Sequence, residues 1–374
     1  VETDLFRWTE KLGFTSGILT ALPEDIQTEA IIDLMVSEAI STSGIEGEYL
    51  SREDVKSSIK NNLGLTEKPL PVKDKKAAGA GKLMTDVRIS FKQPLTTGKL
   101  YSWHSMLMGE SRETKVGAWR THEEPMQVIS GAMGKQKVHY KAPPSARVPE
   151  EMDKFITWFN ETGPGGVKEI KTAPVRSSIA HLYFETIHPF EDGNGRIGRA
   201  IAEKALSQGI GRPVFLSLSA TIEANKKAYY DALEKAQRSN EMTKWVSYFV
   251  KTVLDAQTRA EELIGFTLLV TKFFDRYKDR LNDRQNAVIR RMLEEGPVGF
   301  KGGMNARKYV SITKTSKATA TRDMQELLEM GAFILLGDGR GRSTNYQVTL
   351  PSAAPSVHPP NPSAHPSLTL PSNS

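Results

Sequence analysis

The stretch His188-Pro189-Phe190-Glu191-Asp192-Gly193-Asn194-Gly195-Arg196-Ile197-Gly198-Arg199 constrains this chain more than any other. In twelve residues it holds one imidazole, two carboxylates, three glycines and two arginines. Val175–Ile187 before it and Ile197–Ser207 after it both read as buried helices. Any fold must therefore bring two apolar helices together across a polar loop. Such a loop is a site, since a plain helix connection would not concentrate so many costly groups. His188 titrates near neutrality and is the loop's candidate general base. Asp192 can hold Mg²⁺ or Mn²⁺, hard cations that take one or two carboxylates plus phosphate oxygens. Gly193, Asn194 and Gly195 form an anion-binding concavity before a helix N-terminus. Arg196 and Arg199 are three apart, share one helix face and can clamp successive phosphates. Phe190 reads as an anchor to the core, and Glu191 as facing solvent.

The rest of the 374-residue chain has length for two or three domains. No apolar run reaches about 18 residues, so no membrane span is expected. Val1–Thr20 carries no signal-peptide pattern, and opening on Val leaves the true N-terminus unassigned. With no cysteine there is neither disulfide nor thiolate metal site, which suits the cytoplasm. A net charge of +6 does not by itself imply nucleic acid.

Pro23–Ile40 reads as a helix, and Ser41–Glu48 as a small polar segment after it. Read locally, Glu46 is a solvated loop carboxylate. Ser51 reads as the N-cap of a helix through Lys60. A helix pair follows between Asp86 and Gly109, in which His104 is a packed residue rather than a ligand. Met126–Lys141 reads as strand, turn and strand, stopped by Pro143-Pro144. This hairpin is either a surface cap or a lid that offers backbone edges to a peptide. Pro149–Asn160, Ala224–Gln237 and Trp245–Phe274 read as further helices, the last with a break near Gly265. Tyr229 and Tyr230 are adjacent, so one can face the core and the other a cleft. Beyond Asn282, three helices and a hairpin follow the winged helix-turn-helix pattern. From Leu281 to Leu350 there are 11 Lys/Arg against 7 Asp/Glu. Ser316–Met330 would read a DNA groove, with Arg340 and Arg342 on the wing; a protein-interaction winged helix is the alternative. Pro351–Ser374 reads as a disordered tail.

The loop resembles the signature of the Fic family, H-P-F-x-[DE]-G-N-G-R-x-x-R, at every fixed position. Gly117-Ala118-Trp119-Arg120, the hairpin and the Tyr229-Tyr230 helix resemble features placed similarly in that family, and the likeness spans roughly Leu19–Leu254. It implies a mainly α fold: a Fic helical bundle with a β-hairpin flap, followed by a C-terminal winged helix. The expected domains are an N-terminal region at 1–80, a Fic core at 81–278, a winged helix at 279–350 and a tail at 351–374. The implied activity is protein adenylyl transfer, AMP moving from ATP to a Ser, Thr or Tyr hydroxyl of an unknown protein target or of the chain itself. His188 would be the base and Asp192 the metal ligand. Gly193, Asn194, Gly195, Arg196, Ile197, Gly198 and Arg199 would line ATP, with Arg196 on the β- and Arg199 on the γ-phosphate. Val138, His139, Tyr140 and Lys141 of the flap, with Tyr229, would flank adenine, whereas Gln237 stands where the family often has Asn. Thr42-x-x-x-Glu46-Gly47 resembles the family's inhibitory motif, which places the Glu46 carboxylate on Arg199 in the γ-phosphate position. Removal of AMP from a modified target, transfer of another nucleotide, and a nucleotide-sensing DNA-binding regulator are the alternatives. DNA and a second copy of the chain are candidate partners.

Overall fold

The computed structural model describes residues 1–109, 115–124, 126–130, 137–336 and 344–351. Two compact units divide the chain, Val1–Ile264 and Gly265–Ser374. The first opens with α1 (Glu2–Ala21), α2 (Glu24–Ile45), α3 (Arg52–Asn62), α4 (Lys75–Ile89) and α5 (Thr97–Met108). A hairpin follows, β1 (Gln127–Ser130) with β2 (Lys137–Lys141), and then α6 (Val148–Glu161), α7 (Ala173–Ile187), α8 (Asn194–Ile210), α9 (Leu218–Ala224) and α10 (Lys226–Gln237). The helix α11 (Thr243–Arg276) is helical through Gly265, where the sequence suggests a break.

A core in the first unit joins the N-terminal helices to the helices around the central loop. It takes Ile32, Val36 and Ala39 from α2, Val55 and Ile59 from α3, and Leu83 and Val87 from α4. Trp103, Phe155, Phe159, Phe184, Ile197 and Ile201 complete it from α5 to α8. The segment before residue 81 thus shares its packing with the helices on either side of the central loop. Burial of this apolar area is the main drive to fold. Polar ties then fix the register. Glu38 accepts from the Ser217 hydroxyl at 2.8 Å and from the Ser219 N–H at 2.8 Å, which holds α2 against the start of α9. Trp103 donates to Asp86 at 2.7 Å, joining α5 to α4.

Two elements extend beyond their sequence outlines. Glu2–Ala21 has no cap hydrogen bond and a diffuse apolar pattern, yet forms a helix on Trp8, Thr15 and Leu19; Thr15 accepts from Gln257 at 3.0 Å. Helix α2 continues to Ile45, through the small residues that suggested a loop. The reason is tertiary: Ser41, Thr42 and Ser43 are buried, so packing overrides weak helix propensity.

The second unit holds α12 (Asp283–Leu293), α13 (Ala306–Thr313), α14 (Lys317–Glu329) and an antiparallel pair, β3 (Phe333–Leu336) with β4 (Asn345–Val348). Its core gathers Phe273, Tyr277, Val288, Ile289, Tyr309, Met324, Leu327 and Phe333. Arg284 pairs with Asp323 at 2.8 and 3.0 Å, and Tyr309 donates to the same carboxylate at 2.9 Å. Three helices before a hairpin is the order the sequence predicts. Arg340, Arg342 and the tail past Pro351 lie outside the described residues. Among the described residues no helix is long and apolar enough to cross a membrane.

Candidate active site

Helix α7 ends at Ile187, and His188 takes the next position with φ 51° and ψ 59°. A non-glycine residue rarely adopts this left-handed conformation, and it persists only where its surroundings hold it. Arg120 does the holding. Its Nε donates to the His188 carbonyl at 2.8 Å, and its backbone N–H donates to the Pro189 carbonyl at 2.9 Å. The same guanidinium reaches the Pro143 carbonyl at 2.5 Å and the Ser145 hydroxyl at 2.8 Å, which ties the loop to the exit of the hairpin. Phe190 is fully buried and stacks on His104 at 4.2 Å, so both residues are packed as the sequence suggests. Asn194 spends its side chain inside the loop: its Oδ1 accepts from the Phe190 N–H at 2.9 Å and its Nδ2 donates to the Phe190 carbonyl at 2.8 Å. Glu191 is partly buried and accepts from the Lys115 N–H at 3.2 Å, rather than pointing to solvent.

Helix α8 starts at Asn194, a turn earlier than the apolar pattern suggests, and its first intrahelical bond runs from the Ile197 N–H to the Gly193 carbonyl. The N–H groups of Asn194, Gly195 and Arg196 therefore lack intrahelical partners. With the helix dipole they suit an anion. Asp192 is exposed; its Oδ1 accepts from the Gly193 N–H at 2.6 Å and its Oδ2 lies 3.5 Å from Arg196. A single accessible carboxylate fits a divalent cation that brings its other ligands as phosphate oxygens and water. Among the described residues no group of three or more acidic, histidine or cysteine side chains could hold a metal alone.

The two arginines are already paired, each to the end of α2. Arg199 donates to the Thr42 hydroxyl at 2.7 Å, the Thr42 carbonyl at 2.9 Å and the Glu46 carboxylate at 2.8 Å. Burial works against its charge, but Glu46, Tyr229 and Glu185 together outweigh burial and hold the guanidinium above its usual range. Gly195 is needed here, because a Cβ would overlap the Glu46 carboxylate. Arg196 donates to Glu48 at 2.5 Å, and Lys76 pairs with the other Glu48 oxygen at 2.7 Å. Helix α2 ends so as to allow both contacts. The Glu48 N–H donates to the Ser43 carbonyl at 2.9 Å and the Gly47 N–H to the Gly44 carbonyl at 3.0 Å. Gly47, at φ +83°, takes the left-handed position of this Schellman cap.

Behind the loop lies a buried set of titratable groups. Burial pushes His188 down to about 4, with the Arg120 charge acting the same way. Its Nδ1 has no hydrogen bond among the described residues and lies 3.8 Å from Glu185. Burial pushes the Glu185 carboxyl up to about 8, and His181 down to about 3. Tyr229 is the core-facing tyrosine, its hydroxyl 2.8 Å from His181 Nε2; Tyr230 is the partly exposed one. In the hairpin Val138 pairs with Ile129, and Tyr140 donates to the Thr186 carbonyl at 2.9 Å. Lys141 is exposed. The side chains of Val138 and His139 lie outside the described residues. The structure thus brings Glu46 together with Arg199, and sets His188 and Asp192 on the loop with Arg196 in the first turn of α8. Sequence reasoning missed Glu48 and Glu185 and gave Arg120 no task. The Glu-Gly-Glu run after a helix was a usable signal for the first, since a glycine-centred cap returns its flanking residues toward the helix.

Residues 94–206, which enclose the loop and both flanking helices, match the Fic/DOC family. The chain carries a Fic domain. Ahead of it, residues 1–65 match a domain of unknown function, DUF4172. The Fic domain and its surroundings resemble a probable protein adenylyltransferase of Aquifex aeolicus, 33% identical over 26% of this chain and 27% of that protein. A protein adenylyltransferase Fic of Culex quinquefasciatus is 23% identical over 59% of this chain and 39% of that protein. The chain therefore aligns with well under half the length of these relatives. Among solved structures, a Fic family protein from Desulfovibrio desulfuricans aligns over 94% of this chain and 97% of its own, at 21% identity and a TM-score of 0.52. A Fic-domain signalling protein from Bacteroides thetaiotaomicron aligns over 69% of this chain and 96% of its own, at 18% identity and a TM-score of 0.51. These likenesses show a shared fold.

Proposed function

We propose that this chain is a protein adenylyltransferase held in an autoinhibited state, with ATP as donor and a protein hydroxyl as acceptor. One observation carries the reading: the buried Arg199 gives three hydrogen bonds, from its Nε and one Nη, to Thr42 and Glu46 at the end of α2. The relatives' names supply the reaction class. In the reaction a Ser, Thr or Tyr hydroxyl oxygen attacks the α-phosphorus of ATP. His188 takes the hydroxyl proton, the new P–O bond forms, and the bond to the bridging oxygen breaks to release pyrophosphate. His188 suits this role because burial keeps its imidazole neutral and able to accept. The α8 N-terminus supplies N–H donors for the phosphate oxygens. Arg196 and Arg199 hold the β- and γ-phosphates once their carboxylate partners leave. Asp192 would hold Mg²⁺ or Mn²⁺, which when bound offsets charge on the phosphates. In this reading the hairpin borders the space for the base, while Tyr229, expected there, is buried against His181.

Glu46 inhibits by placing a carboxylate where the γ-phosphate needs Arg199. In Glu46→Gly, incorporation of labelled AMP from ATP should rise at least about 10-fold, since a buried charge-assisted pair is removed. His188→Ala should abolish it in both backgrounds. Equal labelling by Glu46→Gly and the wild type at saturating Mg-ATP would sink the inhibition. Loss of AMP from a premodified target without ATP would instead mark the chain as a remover of AMP.

A further inference from the structure

The pairing of Arg196 with Glu48 carries one inference more. Glu46 by itself would close only the outermost phosphate position. Glu48, two residues on, holds the second arginine at 2.5 Å. That side chain is almost fully buried, with 5% of its surface exposed, so it has no room to serve Glu48 and a phosphate together. Lys76 fixes the other Glu48 oxygen, so the carboxylate is held in place from both sides. The α8 N–H groups, in contrast, have no intrahelical partner.

We propose that Glu48 selects ligands by phosphate count: with Glu48 on Arg196, the protein admits a nucleoside monophosphate but excludes the second phosphate of a diphosphate as well as the third of a triphosphate. The proposal rests on the nucleotide-binding reading above. It makes Glu48 a specificity residue acting through Arg196, whereas Glu46 acts through Arg199. A monophosphate needs only the α8 N–H groups and leaves both ion pairs intact. A diphosphate must displace Glu48, and a triphosphate must displace both carboxylates.

Calorimetric titration of the full chain with AMP, ADP and ATP tests this. In the wild type ADP should bind no more than about 3-fold tighter than AMP. In Glu48→Gln it should bind at least about 10-fold tighter than AMP, the worth of one charge-assisted contact regained. Glu46→Gln should move ATP relative to ADP and leave the ADP-to-AMP ratio as in the wild type. Lys76→Met removes the other partner of Glu48 and should move that ratio in the same direction as Glu48→Gln but by less, since the ion pair with Arg196 remains. If Glu48→Gln does not fold, Glu48→Thr carries the same expectation. A wild-type protein that already prefers ADP by about 10-fold, or a ratio that ignores Glu48, overturns the proposal alone. Absence of binding by all three nucleotides to every variant overturns the nucleotide reading with it.

Discussion

His188 combines a strained backbone with a protected ring, and both bear on how it works. The left-handed conformation aims the imidazole from the end of a helix, and Arg120 prevents relaxation by holding its carbonyl. Burial then sets the proton affinity. The groups facing the ring are Glu185, Arg120, Asp192 and Glu46. Arg120 lowers its affinity for a proton, and Glu46 and Asp192 raise it. Replacing Glu46 therefore lowers it further. In the Glu46→Gly background, kcat/KM for ATP should stay level from pH 8 to about 5.5, because the base remains unprotonated there. A free imidazole would lose half its basic form near pH 6.5. Initial rates across this range check the point, and a half-loss near pH 6.5 would show that the ring is not buried as described.

At the scale of elements, the unit that works is α7, the loop and α8, fastened to the end of α2 and the exit of the hairpin. Arg120 is the fastener on the hairpin side, and a fork of donors is what it needs. Arg120→Lys keeps the charge but cannot span the His188, Pro143 and Ser145 oxygens together. It should lower kcat at least about 10-fold in the Glu46→Gly background, since misplacing reacting groups by about 1 Å costs that much or more. The comparison of kcat with KM for ATP reads this out. The loop and its two helices were legible in sequence because their pattern is local: apolar runs on either side of glycines and charges. The Glu46–Arg199 contact joins residues 153 apart, and only the family resemblance pointed to it. Nothing local marks Arg120, whose partners are the His188, Pro143 and Ser145 oxygens, or Glu185, whose depth is set only by packing. Helix α2 was read too short because Ser41-Thr42-Ser43-Gly44 suggests a break, and only burial against the core keeps it helical. The spacing of the adjacent tyrosines predicts two faces but not which residue takes which: the family resemblance sets Tyr229 beside adenine, whereas the structure turns it to the core.

Across the whole first unit, buried titratable groups oppose one another in their effect on stability. His188 and His181 are held near 4 and 3, below the unfolded value of about 6.5. The unfolded chain therefore gains protons first as pH falls, and between pH 7 and 5 each histidine removes about 2 kcal/mol of stability. Glu185 has the opposite sign. Raised to about 8, its neutral burial costs most at pH 7 and less at pH 5, which returns about 2 kcal/mol over the same interval. Glu203, also raised to about 8 chiefly by burial, acts in the same direction. Stability should consequently change little between pH 7 and 5 in the wild type. In Glu185→Gln it should fall by about 2 kcal/mol more over that interval, measured by urea unfolding at each pH; parallel curves would refute the buried, protonated carboxyl. The cap at the end of α2 has a consequence of a different kind. Glu46 and Glu48 both hang their backbone N–H groups on the single carbonyl of Ser43. Because the body of α2 is part of the core, this turn of chain is anchored, and a polyphosphate that displaced either carboxylate would swing that side chain alone. The latch is thus two hooks on one fixed root, each released separately: a diphosphate should lift one and a triphosphate both, and binding at the single site should saturate along an ordinary slope.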